Sequence, residues 1–331
     1  MAANPIPENH EGLAVRVNLC LAALHLLLCL YQLFVLPLFL LPKSLWWALT
    51  LLPAMLLSNS FWSLIHEAIH DLFSPDARAN LAAGRLLGVF FGSPFRVLRI
   101  THLMHHRLNR SPIEGTELYD PAKTSKWKAG IGYYFQILGG LYLFEVLSPL
   151  PFFLPRRFLR RLQARYFSAP TLSALFWKSL VNDEAIRTIR IDGLLALALL
   201  GMSVACYGKN WEWLLASVLM RAFLISFLDN VYHYGTPVND IPYASNLRLP
   251  GFLSKALLHF NLHGVHHGNP AVPWIRLLES FESGSGRFEG GYFAAAARQL
   301  RGPLALSELT VGRRGAAPSP LEEPAARGGL P

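Results

Sequence analysis

The chain has 331 residues, 52% hydrophobic and 15% charged, with a mean hydropathy of +0.31 and a formal net charge of +9 at pH 7. That balance is too apolar for an ordinary soluble enzyme of this length and points to an integral membrane protein. The basic excess flanks apolar runs and comes with no nucleic-acid motif, so it reads as membrane orientation and attraction to anionic headgroups, with docking of an acidic electron donor as the alternative; nucleic acid is not an expected partner.

In chain order, the opening MAANPIPENHEGLAVRVN lacks a basic n-region, so no cleavable secretory signal is expected and the first apolar run is read as a retained helix. Crossing a ~30 Å hydrocarbon core takes roughly 20 apolar residues. Runs of that kind occupy residues 15–40, 45–65, 191–207 and 211–232, the last two separated by the short turn GKN. Nine Lys and Arg lie between Arg78 and Lys128, and eight more between Arg156 and Arg190. By the positive-inside rule the region between the second and third spans faces the cytoplasm. Residues 131–155 within it are also long enough to cross, but a single crossing would put the second basic cluster outside. A re-entrant or interfacial hairpin bent near Gly139 and Gly140 is therefore predicted.

The expected fold is all-α and integral to the membrane: two transmembrane helical hairpins, about four spans, with a cytosolic helical cap and the re-entrant or interfacial segment. Residues 1–300 read as one domain. From Arg301 the composition shifts to Pro, Ala, Gly and Arg, so 301–331 are expected to form a disordered tail. Cys20, Cys29 and Cys206 all fall in apolar runs with no CxxC or iron-sulfur spacing, which leaves no cysteine-bound cofactor and no disulfide framework.

The histidines carry the chemistry. LIHEAIHDLF places His66 and His70 four apart, on one face of a helix. THLMHHRLNR supplies His102, His105 and His106, and NLHGVHHGNP supplies His263, His266 and His267. On a helix each HxxHH presents three imidazoles from one turn. His233, in FLDNVYHYG at the inner end of the last span, is an ionisable residue at the membrane boundary and a functional candidate on that ground. Nine imidazoles exceed what one metal takes, and divided between two they leave four or five each, which describes a dinuclear site with room for a small co-substrate. His66, Glu67 and His70 also spell the HExxH zinc-protease signature, but a zincin needs one further ligand and has no use for two HxxHH boxes. Glu67, Asp71, Glu117, Asp120, Asp229 and Asn230 are candidates to orient imidazoles from outside. His259 is expected in the outer shell, with His10 and His25 apart from the site. Imidazole alone does not identify the metal.

With its HxxxH, HxxHH and HxxHH boxes in this order around two hydrophobic hairpins, the chain resembles the membrane fatty acid desaturase-like family over roughly residues 45–275. The resemblance implies two non-haem iron ions held by the nine histidines on the cytoplasmic face, with molecular oxygen as co-substrate, attacking an unactivated C–H bond of a fatty acid or fatty acyl chain in the membrane lipid. In several members a late histidine joins the boxes, and His233 matches that role. Desaturation is the expected outcome. Decarboxylation of a fatty acid to a terminal alkene, or hydroxylation, remains open on the same scaffold. More distant alternatives are a membrane zinc peptidase and a non-catalytic metal-binding membrane protein.

The chain has no dinucleotide fingerprint, haem-attachment motif or iron-sulfur set, so a separate electron donor, ferredoxin, rubredoxin or cytochrome-like, with its reductase, is an expected partner. Phe61, Trp62, Phe90, Phe91 and Trp274 are candidates to line an apolar slot for the chain. Arg107 and Arg110 are candidates to meet a carboxylate, a thioester's phosphates or headgroups.

Overall fold

A computed structural model describes residues 8–111, 114–167, 171–284, 286–309 and 311. The first hairpin begins with α1 (Glu8–Leu30), which continues to Leu40 with a wider winding around Pro37. Proline has no N–H to give the helical ladder, and beyond it Leu41 N–H donates five residues back to Leu36 O at 3.0 Å. After a short turn, a 3₁₀ stretch leads into α2 (Leu51–Leu56) and α3 (Ser58–Ile69). The second hairpin is α10 (Asp183–Tyr207) and α11 (Trp211–Asp229), joined through Gly208, whose φ is +49°. Asn182 caps α10, its Oδ1 accepting from Ala185 N–H at 2.8 Å.

Both hairpin turns lie at the same end of the bundle. Leu36, Leu41, Ala48, Leu51, Met55, Tyr207 and Leu214 form one buried cluster there. Tyr207 Oη donates to Gln32 O at 2.8 Å, and Gln32 Nε2 to Ser217 Oγ at 2.6 Å. Lipid is as apolar as a helix flank, so helices in a membrane associate through packing and such polar contacts, each worth on average about 0.6 kcal/mol. With the turns at one end, α3 and α11 must both finish at the other. Residues 12–40, 45–69, 126–153 and the hairpin 183–232 are long and apolar enough to cross a membrane, and the all-α membrane fold read from the sequence is the fold observed.

Two breaks place the cap. Between α6 (Lys126–Phe135) and α7 (Leu141–Leu147) the helix is interrupted at Gly139, whose φ of +141° suits only glycine. This is where the sequence places the bend. The break seats against α11, where Tyr142 N–H donates to Ser226 Oγ at 3.1 Å. The second break, not anticipated, separates α4 (Ala77–Phe91) from α5 (Phe95–Leu108) by 101°. Gly92, at φ +102°, ends α4, and Pro94 starts the new direction. A Cβ on Gly88 would come within 2.9 Å of Ser93 O, so this tight turn depends on its absence. Phe91, Phe95 and Leu98 pack with Phe61, Leu64, Ile65 and Ile69 of α3 in the main core.

Under α5, α8 (Arg156–Tyr166) and α9 (Leu172–Leu180) bury Leu159 and Leu180 against Val97 and the start of α10. Among the described residues beyond α11 lie four short α-helices, α12 (Gly251–Ala256), α13 (His263–Gly268), α14 (Trp274–Ser283) and α15 (Tyr292–Arg298). Two parallel strand pairs tie these segments down: β1 (Leu118–Tyr119) with β4 (Leu304–Ala305), and β2 (Leu247–Arg248) with β3 (Gly290–Gly291). The tail boundary drawn at Arg301 thus falls inside a structured segment, since Leu304 N–H donates to Glu117 O at 2.7 Å and Ala305 is buried. Two paired residues are too short a strand for composition to reveal. Residues 312–331 of the expected tail lie outside the described residues.

Candidate metal centre

Each imidazole reaches the centre from the end of an element. The last turn of α3 presents His66, and its cap residue is His70. The last two turns of α5 present His102, His105 and His106. His233 follows α11 after one 3₁₀ turn, and α13 carries His263, His266 and His267. Leu258 and His259 adopt left-handed backbone, at φ +52° and +56°, to reverse the chain ahead of α13. The helix is then held in place by Asn246, whose Oδ1 accepts from Val265 N–H at 3.0 Å.

All nine histidines come together, and they form two groups. His66, His70, His102, His106 and His266 make one, and His105, His233, His263 and His267 the other; within each group one ring nitrogen per residue lies within 4.8 Å of all the rest. Both HxxHH boxes are divided. The i, i+4 pair His102 and His106 serves the first group and His105 the second, while His263 and His267 serve the second and His266 the first.

The spacing of the nitrogens says what the groups can do. His102 Nε2 lies 3.1 Å from His70 Nε2 and 3.0 Å from His106 Nε2, which itself lies 2.9 Å from His266 Nε2. In the second group His105 Nε2 is 3.2 Å from His233 Nε2, and His267 Nε2 is 3.1 Å from His263 Nε2. A ring nitrogen carries either one hydrogen or one in-plane lone pair, so it cannot satisfy two such contacts by hydrogen bonding. A shared cation does satisfy them: nitrogens bound at about 2.1 Å and at right angles to each other lie about 3.0 Å apart. His66 Nε2, buried with no hydrogen-bond partner, fits the same explanation.

Electrostatics favour neutral ligands. Burial, and then the neighbouring imidazoles or cations, hold His233, His263, His266 and His267 well below the ordinary histidine value of 6.5. One ring differs from the rest in its outer partner. His105 Nδ1 lies 3.0 Å from Glu114 Oε1, and Glu114 Oε2 accepts from Arg110 N–H at 3.2 Å. Burial alone would raise the Glu114 carboxyl, but His105 outweighs it and the group sits below its usual range. Glu114 was not singled out from the sequence. It lies in RLNRSPIEGTELYDP, and only the fold brings it beside His105.

Of the other outer candidates, Glu67 and Asp229 line clefts beside the centre and the rest make their contacts away from it. Glu67 is buried, with Oε1 accepting from Trp274 N–H at 3.2 Å and Oε2 without a partner, and it makes no hydrogen bond to a histidine. Asp71 pairs with Arg99 at 2.6 Å, Asp120 with Lys123 at 3.4 Å, and Asn230 Nδ2 donates to Gln299 Oε1 at 3.2 Å. Glu117 pairs at 2.7 Å with Arg110, each side chain 1% exposed. Arg110, whose guanidinium also donates to Thr236 O, is thereby a structural tie and does not meet a substrate anion. His259 bonds Ser254 Oγ through Nδ1 at 2.8 Å and His25 pairs with Ser60 Oγ at 3.3 Å, both outside the two groups. The His10 side chain lies outside those described.

Two clefts adjoin the centre. One is lined by Ser63, His66, Glu67, Phe260, His266 and Trp274, the other by Trp62, Ile225, Leu228, Asp229, Tyr232 and Phe260. Of the five aromatics expected along an apolar slot, Trp62 and Trp274 line these clefts. Phe61, Phe90 and Phe91 pack in or against the main core, as Trp62 and Trp274 also do, but line neither cleft.

A family model described as Fatty acid desaturase matches residues 44–282, an interval that contains all nine histidines. Among curated proteins the chain is similar to the sn-2 acyl-lipid omega-3 desaturase (ferredoxin), chloroplastic, of Helianthus annuus, at 24% identity over 247 residues, covering 67% of this chain and 52% of that protein. The chain therefore spans about half the length of this relative. No solved structure matches it.

Proposed function

This chain belongs to the fatty acid desaturase family, and we propose that it is a membrane-bound, oxygen-dependent oxidoreductase that introduces a double bond into a fatty acyl chain at a centre of two non-haem irons. The observation that carries this reading is the division of nine histidines into a group of five and a group of four, with nitrogens spaced for two cations. A closed zinc site takes four ligands and a catalytic zinc usually three, so neither peptidase nor structural zinc accounts for nine.

In the proposed roles, His66, His70, His102, His106 and His266 hold one iron and His105, His233, His263 and His267 the other. Irons bound there supply the activation of oxygen that an unactivated C–H bond requires. The chain's own residues do the rest. Buried, neutral imidazoles leave both metals without ligand charge, and Glu114 fixes the ring of His105. Trp62, Ile225, Leu228, Tyr232 and Phe260 offer an apolar wall beside the centre on which an acyl chain can rest. Forming an alkene removes two hydrogens from the chain. Reducing oxygen to two waters with them takes two further electrons and two protons. The electrons come in this proposal from a separate donor protein, and the ferredoxin named for the Helianthus annuus relative is the class we favour. The centre faces the cytoplasm in this reading. Seventeen Lys and Arg lie between Arg78 and Arg190, in the segments around the histidine end, whereas the two turns at the opposite end carry only Lys43 and Lys209.

Metal analysis of the purified protein, together with lipid mass spectrometry of cells expressing it, tests the proposal. Two irons per chain and new internal unsaturation are expected, with His105→Ala losing the activity while still inserting in the membrane. One zinc per chain, or full activity in His105→Ala, would overturn it. A one-carbon-shorter alkene or a hydroxylated chain would keep the centre and change the reaction.

A further inference from the structure

Away from the metal centre, α8 has the sequence RRFLRRLQARY, with Arg156, Arg157, Arg160, Arg161 and Arg165 all exposed. At 100° per residue these five side chains cover about half of the helix circumference. The opposite side buries Leu159 completely against α9 and α10. Repulsion among five clustered cations is costly unless something anionic meets them. Among the described residues only Asp183 does so, 3.4 Å from Arg156 and 3.2 Å from Arg160. Among the described residues Arg157, Arg161 and Arg165 have no carboxylate within ion-pair distance.

The depth of this helix follows from its partners. Asp183 is the first residue of α10, the helix that enters the membrane, so α8 lies level with the end of a span. Arg190, two turns into α10, donates to Phe152 O and Leu154 O at 2.6 Å each and ties the entry to α8 down at that level. Around the same entry Leu150, Phe153, Leu154 and Phe158 are exposed. Large apolar side chains and unpaired arginines exposed side by side at the end of a span match the acyl-to-headgroup boundary, where each finds its own solvent.

We propose that the arginine face of α8 binds the phosphate groups of anionic phospholipids in the membrane surrounding the chain. Guanidinium pairs phosphate oxygens through two parallel N–H donors. A run of basic residues directly beside a membrane helix gathers anionic lipid. An acidic protein surface would answer the charges but would leave Leu150, Phe153, Leu154 and Phe158 facing water. Lipid bound here would also steady α9 and the base of α5, since Val97 of α5 shares the cluster that Leu159 fills.

The test uses the full chain purified in detergent and exposed to an equal mixture of dioleoyl-phosphatidylglycerol and dioleoyl-phosphatidylcholine. Mass spectrometry then counts the lipids retained after gel filtration. The wild type is expected to retain phosphatidylglycerol in excess. Replacing Arg157, Arg161 and Arg165 together by Gln should lower that excess by up to about a hundredfold, while Lys at the same positions keeps most of it. Raising NaCl from about 50 to about 500 mM should erode the wild-type excess as well, a readout that needs no variant to fold. An unchanged lipid ratio in the Gln variant, or a wild type that does not discriminate, overturns the proposal. So does a Gln variant that keeps its lipid preference but loses electron transfer from an acidic donor protein, because the face then serves that partner.

Discussion

In the proposed two-metal centre, replacing Glu114 by Gln should loosen one metal and leave the other. The carboxylate meets His105 Nδ1 at 3.0 Å, on the far side of the ring from the nitrogen that faces His233. Gln keeps the shape and removes the charge. Side-chain exposures of 21% for His105 and 18% for Glu114 leave little water to screen the contact. A charge-assisted hydrogen bond of this kind is worth about 1.5–3 kcal/mol, and losing such an outer partner typically lowers metal affinity by about 10–100-fold. The two ranges agree, since a factor of ten is about 1.4 kcal/mol. Titrating the iron-loaded variant with a chelator, and counting the metal that remains, should show one ion leaving at a chelator concentration about 10–100-fold lower than in the wild type. The second ion should hold at its wild-type point. If both ions leave where they do in the wild type, or both leave early together, the contact does not control the four-histidine group and the reasoning fails.

Two further outcomes follow from the same geometry. A Cβ on Gly264 would lie 2.5 Å from the backbone oxygen of Ala244 and 2.7 Å from Asn246 Nδ2, so Gly264→Ala must displace α13. Overpacking of this kind costs about 1–3 kcal/mol, and the variant should purify with clearly less than the wild-type metal content; full metal loading would show that the helix has slack. The pH dependence has a definite sign. In the folded chain burial keeps His233, His263, His266 and His267 well below 6.5, while the unfolded chain takes up protons at about 6.5. Against burial, Glu114 holds His105 above its usual value. The thermal midpoint of the metal-free protein should therefore climb somewhat as pH falls toward about 6.5 and His105 takes up its proton, and should fall below about pH 6.5 as the four depressed rings oppose protonation. A midpoint that goes on rising down to about pH 5 would mean that these rings are not held neutral.

Much of this centre was legible in the sequence because its periodicity is local. His66 with His70, and the i, i+3, i+4 set of each HxxHH box, share a helix face whatever the rest of the chain does. The apolar runs fixed the hairpins in the same way, and the bend at Gly139 could be placed because glycine is rare inside so long an apolar run. The allocation of rings was not legible. Sending His105 to one group and its neighbour His106 to the other depends on the 101° turn at Gly92 and Pro94, and on the left-handed backbone of Leu258 and His259. Arg110 looked like an anion-binding residue because its partner Glu117 is met only when the loop after His233 closes over both, with Gly235 N–H donating to the same carboxylate at 3.2 Å. Phe61 and Phe91 looked like slot residues because aromatics near a membrane end read alike whether they line a cleft or fill a core.

The nine rings come from four separate stretches, the first at His66 and the last at His267. Each hairpin closes over a turn of a few residues and is quick to form, whereas bringing His106 and His233 together closes a loop of more than a hundred residues, an entropic cost on the order of 4 kcal/mol. On that cost alone membrane insertion should come early and cap closure late. In the proposed diiron protein the ions would act as rivets for that last step. A cell starved of metal would then accumulate inserted chains whose cap segments stay open to proteases, so that metal supply would set the amount of protein as well as its activity.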